Sequence, residues 1–160
     1  MRRSIIQAEA PEALTLIRQL FAEYAASLEI DLAFQGFDEE LADLPGAYAR
    51  PAGSLLLGFD GEEPAGCVAF RRLVPAIAEL KRLYVRPAAR GAGWGRRLAE
   101  RAADEARASG YGRIRLDSLP SMRAAIDLYL GMGFREIPAY RHNPVAGTRF
   151  LELDLRPGRG

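Results

Sequence analysis

The sequence predicts a single layered α/β domain over residues 1–160, and three observations carry that prediction. Apolar residues alternate between helical and two-residue spacing along the chain. Asp60-Gly61 joins two alternating runs as a hairpin, and the helical stretch Trp94–Ala108 lies between two strands as the crossover of a βαβ unit, whose strands should run parallel. Composition agrees: 49% hydrophobic and 27% charged residues in a chain of 160 describe an ordinary globular protein. Such a length buries roughly 70% of the surface of the unfolded chain, enough for a core without disulfides or structural metal.

Taken in order, residues 4–8 read as a first strand. Pro11 and Glu12 open a helix whose Leu14, Ile17, Phe21, Tyr24 and Leu28 keep helical spacing and form a core stripe. Residues 29–37 lack clear periodicity, and Asp38 then reads as the cap of a short acidic helix stopped by Leu44-Pro45-Gly46. Strands over 55–59 and 67–73 flank the hairpin turn, and Ile77–Val85 follows the Val74-Pro75 turn, which gives an antiparallel meander. Arg86-Pro87 ends it. A glycine-rich turn leads into the helix Trp94–Ala108, with Trp94, Leu98, Ala102 and Ala106 on one side and Ser109-Gly110 as its stop. Arg113–Ser118 is the next strand; Ser121 caps a helix that runs to Leu130, and Gly131 and Gly133 close it before strands over 134–141 and 148–155. Residues 156–160 are expected to fray.

Several function classes are excluded early. Cys67 is the only cysteine and His142 the only histidine, so neither a disulfide nor a Cys- or His-based metal site is expected. The 22 basic and 21 acidic residues leave a net charge of +1, which supplies no global field for nucleic acid or an acidic membrane. Lys81 is the only lysine beside 21 arginines, a pattern that genomic base composition explains before chemistry does. No apolar run is long enough to cross a bilayer, and Met1-Arg2-Arg3 leads into a strand rather than a signal-peptide core, so a cytoplasmic location is expected.

The chemically informative stretch runs from Glu79 to Arg97. A strand enters a turn with glycines at 91, 93 and 95, and a helix starts there with Arg96 and Arg97 in its first turn. Glycines let a ligand approach backbone N–H groups, and the positive end of a helix suits a phosphate. Arg96 in that first turn opposes the helix dipole, which an anion would explain. A dinucleotide G-x-G-x-x-G fails because counting from Gly91 and Gly93 ends on Arg96, and a Walker loop fails because Lys81 stands between Leu80 and Arg82.

What remains, Arg90-x-x-Gly93-x-Gly95, resembles the acyl-CoA signature of the GNAT superfamily of N-acetyltransferases. Two further segments are similar to that family: Leu128-Tyr129 followed by Gly133-Phe134, and Glu79 to Val85, which resembles the E-x-K-R-L-Y-V block of a bacterial subgroup. The resemblance spans nearly the whole chain. It implies a GNAT-like mixed central sheet of about seven strands with four helices, splayed between the fourth and fifth strands. It also implies acetyl-CoA as cofactor, with coenzyme A as product, and a small-molecule or peptide amine as acceptor. A homodimer, common in the superfamily, is left open, and neither nucleic acid nor membrane is implied.

The same resemblance assigns roles. Amides of Gly91, Gly93 and Gly95, with Arg90 and Arg96 nearby, would hold the pyrophosphate; main-chain groups of Leu83 and Val85 would pair with pantetheine, the cofactor arm standing in for a missing strand. Met122 stands where many members have an asparagine that contacts pantetheine. The amine would attack the thioester directly, with the Leu83 N–H donating to the oxyanion and Tyr129 facing the departing sulfur. Glu79, eleven positions before Arg90, would be the base that collects the amine proton. Read without the resemblance, Glu79 is equally a charged strand residue paired with Lys81 or Arg82, and Tyr129 a core aromatic. The acceptor pocket would lie between the first two helices and the loop between the last two strands, which makes Phe34, Phe37, Tyr140 and His142 its candidates. Cys67 reads as a buried thiol and Trp94 as packing between helix and sheet. Two other functions stay open at this point, a non-catalytic acyl-CoA sensor and a general phosphate or nucleic-acid module, the latter disfavoured by the near-neutral charge.

Overall fold

The computed structural model describes residues 2–28, 31–32 and 36–156. Its strands are β1 (Arg3–Gln7), β2 (Ser54–Asp60), β3 (Glu63–Val74), β4 (Ile77–Val85), β5 (Arg113–Ser118), β6 (Arg135–Glu136) and β7 (Arg149–Asp154); its helices are α1 (Pro11–Ser27), α2 (Phe37–Asp43), α3 (Trp94–Ala108) and α4 (Arg123–Gly131). The seven strands form one sheet in the order β1-β2-β3-β4-β5-β7-β6. Every neighbouring pair is antiparallel except β4 and β5, which run parallel on either side of the α3 crossover.

Strands buried on both faces need apolar residues at consecutive positions, and Leu55-Leu56-Leu57 and Cys67-Val68-Ala69-Phe70 supply them. Alternate residues go to opposite faces. Leu56, Val68 and Phe70 meet Trp94, Leu98, Ala102 and Ala106 of α3, while Leu55, Leu57, Cys67 and Ala69 meet Ile17, Leu20 and Phe21 of α1. The small alanines let α3 lie close to the sheet, and Trp94 fills the space above Gly58, where an added Cβ would come within 2.7 Å of the indole ring.

The parallel pair is short. Only Ile77, Ala78 and Glu79 of β4 pair with Arg113, Ile114 and Arg115 of β5. β4 then continues to Val85 and β5 to Ser118 with no ladder between them, so the sheet opens into a cleft along the second half of both strands.

A bulge in β4 lies at the start of that opening. Ala69 of β3 pairs with Lys81 and Cys67 with Tyr84, so Val68 alone opposes both Arg82 and Leu83. Arg82 takes a positive φ of 62°, rare for a residue with a side chain. An extra residue reverses which face each later side chain meets. Ala78 and Leu80 before the bulge, and Leu83 and Val85 after it, all lie on the α3 side; Tyr84 lies on the α1 side. The strained arginine is held from outside the strand: its Nε and Nη2 donate to the two oxygens of Glu40 in α2 at 2.9 and 3.0 Å, and its guanidinium stands 5.2 Å from the centre of the Phe37 ring. Tyr48 donates to the same carboxylate, and the Cys67 thiol donates to the Arg82 carbonyl.

Besides one-residue shifts at strand ends, β3 starts at Glu63 rather than at 67, and three further element boundaries differ from the sequence expectation. The acidic helix starts at Phe37, with Gly36 at its N-cap, so Asp38 lies inside the first turn rather than capping it; burial of Phe37 beneath Arg82 draws the start forward. Ser121 does not cap α4, whose N-cap is Met122 with no side-chain bond. The strand expected over 134–141 shrinks to Arg135–Glu136 plus one bond from the Ile137 N–H to the Phe150 carbonyl. The chain leaves the edge after Ile137 and runs as a loop to β7. Phe34 lies outside the described residues.

The Gly58–Trp94 contact is directly testable. Gly58→Val forces two methyl groups against an indole with no room to move, and it should cost about 1–3 kcal/mol through overpacking. A lower urea midpoint at unchanged m-value would report it.

Candidate active site

The cleft is built from four directions. β4 contributes Leu80, Lys81, Arg82 and Leu83, and β5 with its continuation contributes Leu116, Asp117, Ser118 and Leu119. Met122 and Tyr129 close it from α4, Tyr24 and Leu28 from α1, and Asn143 from the loop before β7. Leu83 and Tyr129, singled out from sequence, therefore meet in one space. Lys81, Asp117, Ser118, Asn143 and Tyr24 join them, and sequence reasoning had not placed any of these in the site.

Tyr129 is buried, with its ring 5.4 Å from that of Phe134. Burial is the main cause that pushes its hydroxyl well above the ordinary tyrosine range, with Tyr24 across the cleft adding to it. A phenol so placed stays protonated and acts as a hydrogen-bond donor. Ser118 Oγ is buried without a hydrogen-bond partner among the described residues, an acceptor and donor left for something in the cleft. Asn143 ties the loop to the far wall by donating to Asp117 at 3.2 Å, while its own carbonyl accepts from the Val145 N–H.

Glu79, which the resemblance implies to be the base, lies inside an ion-pair cluster. It is 0% exposed. Arg71 donates to one of its oxygens at 3.2 Å; Tyr140 donates to the other at 2.7 Å, and Arg141 makes a close ion pair with that same oxygen. Burial alone would raise its pKa, but Lys81, the Tyr140 hydroxyl and Arg141 outweigh burial and hold the carboxyl below its usual value. The pairing expected with Arg82 is replaced, because Arg82 is taken by Glu40.

Lys81 lies beside this cluster. Its register partner Ala69 belongs to the α1-side core, so the lysine shares that face with Glu79. It is 7% exposed. Burial is the largest influence on it, Arg82, Arg71 and Arg141 act in the same direction, and Glu79 opposes them; the ammonium pKa falls to about 8.

The expected acceptor residues are dispersed. Phe37 supports Arg82, Tyr140 is committed to Glu79, and His142 is exposed, so none of the three lines the cleft wall. The reason is local: both aromatic rings are used to fix a charged neighbour.

From the cleft, β4 runs through Arg86 into the glycine turn. Arg86 is anchored to Glu23 of α1 by two bonds of 3.0 and 2.8 Å. Gly91 and Gly93 have φ of 86° and 82°, and a Cβ built on either would meet nothing within 4 Å. Their backbone faces open space at the N-terminus of the fifteen-residue α3, whose first turn carries no acid. Arg90 donates to the Val85 carbonyl at 3.1 Å, and Arg96 is exposed and pairs with Glu100. The residues present thus fit a pyrophosphate group: a positive helix end, unobstructed amides and guanidinium groups at the rim. Trp94, buried between α3 and the sheet, packs as expected.

Comparison with known proteins places this arrangement. The model of the acetyltransferase (GNAT) family matches residues 16–134. The chain belongs to the GNAT acetyltransferase family. An uncharacterized N-acetyltransferase of Schizosaccharomyces pombe is 34% identical over 154 residues, which cover 95% of this chain and 94% of that one. Among solved structures, a GNAT-family acetyltransferase of Staphylococcus aureus superposes with a TM-score of 0.80 at 19% identity, covering 97% of this chain and all of that one. A Salmonella typhimurium protein solved with its cofactor acetyl-CoA gives a TM-score of 0.74 at 21% identity, covering 99% and 96%. At these identities the structural likeness is one of fold. Acetyl-CoA is the acetyl donor of the GNAT reaction, with coenzyme A as product, and the chain is an acetyltransferase of that class. Among the described residues no helix is long and apolar enough to cross a membrane.

The depressed Lys81 has a measurable thermodynamic consequence. Between pH 8 and 10.5 the unfolded chain binds a proton at this lysine that the native state has lost, so native stability rises with pH across that window. Below pH 8 the charged lysine costs the fold roughly 3 kcal/mol. Lys81→Met should therefore raise the melting temperature at pH 7, and the gain over wild type should vanish as pH approaches 10.5.

Proposed function

We propose that the cleft transfers an acetyl group from acetyl-CoA to a primary amine by direct attack on the thioester. One observation carries the reading: a strand that lacks its parallel neighbour from Leu80 onward runs out of a cleft holding Leu83 and Tyr129 and into an open glycine turn at a helix start.

The roles follow from the residues. Gly91, Gly93 and Gly95 offer backbone amides to the pyrophosphate, with Arg90 and Arg96 beside them. Leu83 and Val85 offer main-chain groups along the free edge of β4 to the pantetheine arm, in the manner of an added strand. Met122 replaces a side-chain amide at the start of α4, and Ser118, with its unpartnered hydroxyl, is the polar group of the opposite wall. Acetyl-CoA supplies an activated acyl group on a thiolate leaving group. The Leu83 N–H donates to the carbonyl oxygen as it gains negative charge. Tyr129, kept protonated by burial, donates to sulfur as the thiolate departs. The amine enters between α1 and the loop that carries Tyr140 and Asn143.

Two substitutions test the two halves of this proposal. Gly93→Val must adopt a φ of 82° and fills the space above the turn; it should abolish acetyl-CoA binding by calorimetry while costing the fold about 1–3 kcal/mol of backbone strain. Undiminished affinity would remove the glycine turn from the site. Tyr129→Phe keeps the ring and deletes one donor; kcat and kcat/KM for an amine found by thiol-release screening should fall together by about 10- to 100-fold, with acetyl-CoA affinity unchanged. Wild-type turnover in that variant would return Tyr129 to the core.

A further inference from the structure

We infer that Lys81, the only lysine of the chain, is the general base that takes the proton from the acceptor amine. The inference rests on the acetyl-transfer reading above and names a residue that reading leaves without a role.

Three observations converge on it. Lys81 lines the cleft two positions before Leu83, on the wall shared with Tyr129, Asp117 and Ser118. Among the described residues, the charged groups that act on it are Glu79 and Arg82 on its own strand, Arg71 on β3 and Arg141 on the loop before β7, while Asp117 of β5, Tyr24 of α1 and Asn143 line the same cleft. Burial is the largest influence, and Arg82, Arg71 and Arg141 act in the same direction against Glu79, so a substantial fraction of Lys81 is neutral amine near pH 8. Glu79, ionised and engaged by Arg71, Tyr140 and Arg141, holds that cationic frame in place and is itself a weak base.

The composition gives an independent argument. With 21 of 22 cations written as arginine, lysine survives at one position, and that position lies in the cleft. Arginine cannot deprotonate in a protein, whereas a buried lysine can, so this is a site where the two residues are not interchangeable.

The step balances. The amine nitrogen forms a bond to the acetyl carbon and gives one proton to the lone pair of Lys81 Nζ. The carbon–sulfur bond breaks with its electron pair on sulfur. The proton then passes from the Lys81 ammonium to the thiolate, whose thiol has a pKa of about 8.5, close enough for the return to be easy. Amine and thioester become amide and thiol, and Lys81 is regenerated.

The test uses the full chain, one amine substrate at saturation, and calorimetry of acetyl-CoA. Lys81→Arg and Lys81→Met should each lower kcat by about 100-fold or more, with acetyl-CoA affinity within a few-fold of wild type, and the rise of kcat around pH 8 should disappear. Lys81→Cys alkylated with 2-bromoethylamine rebuilds a side-chain amine of lower basicity; it should recover activity with the rise moved to lower pH. Cys67 does not interfere, because its thiol is fully buried and pushed up by that burial. Glu79→Gln, checked for folding by circular dichroism, separates the two candidate bases: loss of the opposing carboxylate moves the rise to lower pH if Lys81 is the base, and abolishes it if Glu79 is. Near wild-type kcat and pH dependence in Lys81→Arg, or loss of the rise in folded Glu79→Gln, overturns the assignment. A wild-type protein that binds acetyl-CoA but acetylates no amine overturns the acetyl-transfer reading, and the role of Lys81 with it.

Discussion

One extra residue in β4 governs much of what surrounds it. Because Val68 opposes both Arg82 and Leu83, the strand changes face where β5 draws away, and Leu83 and Val85 are turned to the side that α3 and the glycine turn serve. Without the bulge, Tyr84 would point where Leu83 does, and a ring would stand at the mouth of the cleft. The positive φ of Arg82 is unfavourable by itself, so the bulge needs support from elsewhere. Glu40 and Phe37 give it, and this explains why a helix as short as α2 exists: seven residues are too few to be stable alone, and α2 is held by the contacts through which it braces the strand.

The second constraint is charge without water. Glu79, Lys81 and Arg82 are all buried in a stretch of four residues. Each would be costly alone, and the fold divides them into two groups: Arg82 is neutralised by Glu40, and Glu79 is shared by Arg71 and Arg141. Lys81 is left buried with Arg82, Arg71 and Arg141 opposing its charge and Glu79 favouring it, a setting that lowers stability and is therefore informative about use. Tyr140 completes the arrangement, since its ring centre stands 5.7 and 5.2 Å from the guanidinium groups of Arg115 and Arg141 while its hydroxyl reaches Glu79.

What could be read from the sequence was local. The hairpin at Asp60-Gly61, the crossover helix and the glycine turn declare themselves because backbone chemistry and periodicity act over a few residues, and all three stand where they were expected. Asp38 and Ser121 fit the rules for helix caps, yet packing decided the boundaries: Phe37 is pulled inward, and α4 starts at Arg123 without a side-chain cap. The strand over 134–141 shortened to two residues at the sheet edge. For the cleft, Leu83 and Tyr129 were reached through motifs. Asp117, Ser118, Tyr24 and Asn143 come from separate elements, and no spacing along the chain announces that they meet. Lys81 did leave a trace, its solitude among arginines, which has meaning only once burial shows where it lies.

That solitude bears on the protein's own chemical durability. Thioesters acylate unprotonated amines slowly and without any enzyme, so a protein that lives with one exposes every surface lysine to gradual modification. Guanidinium groups remain protonated and are not acylated in this way. All the cationic side chains on the outside of this chain are arginines, and its single ε-amine is 7% exposed. The exterior is therefore inert toward the reagent that its cleft is shaped to use, and side-chain acylation is confined to the one amine that sits inside.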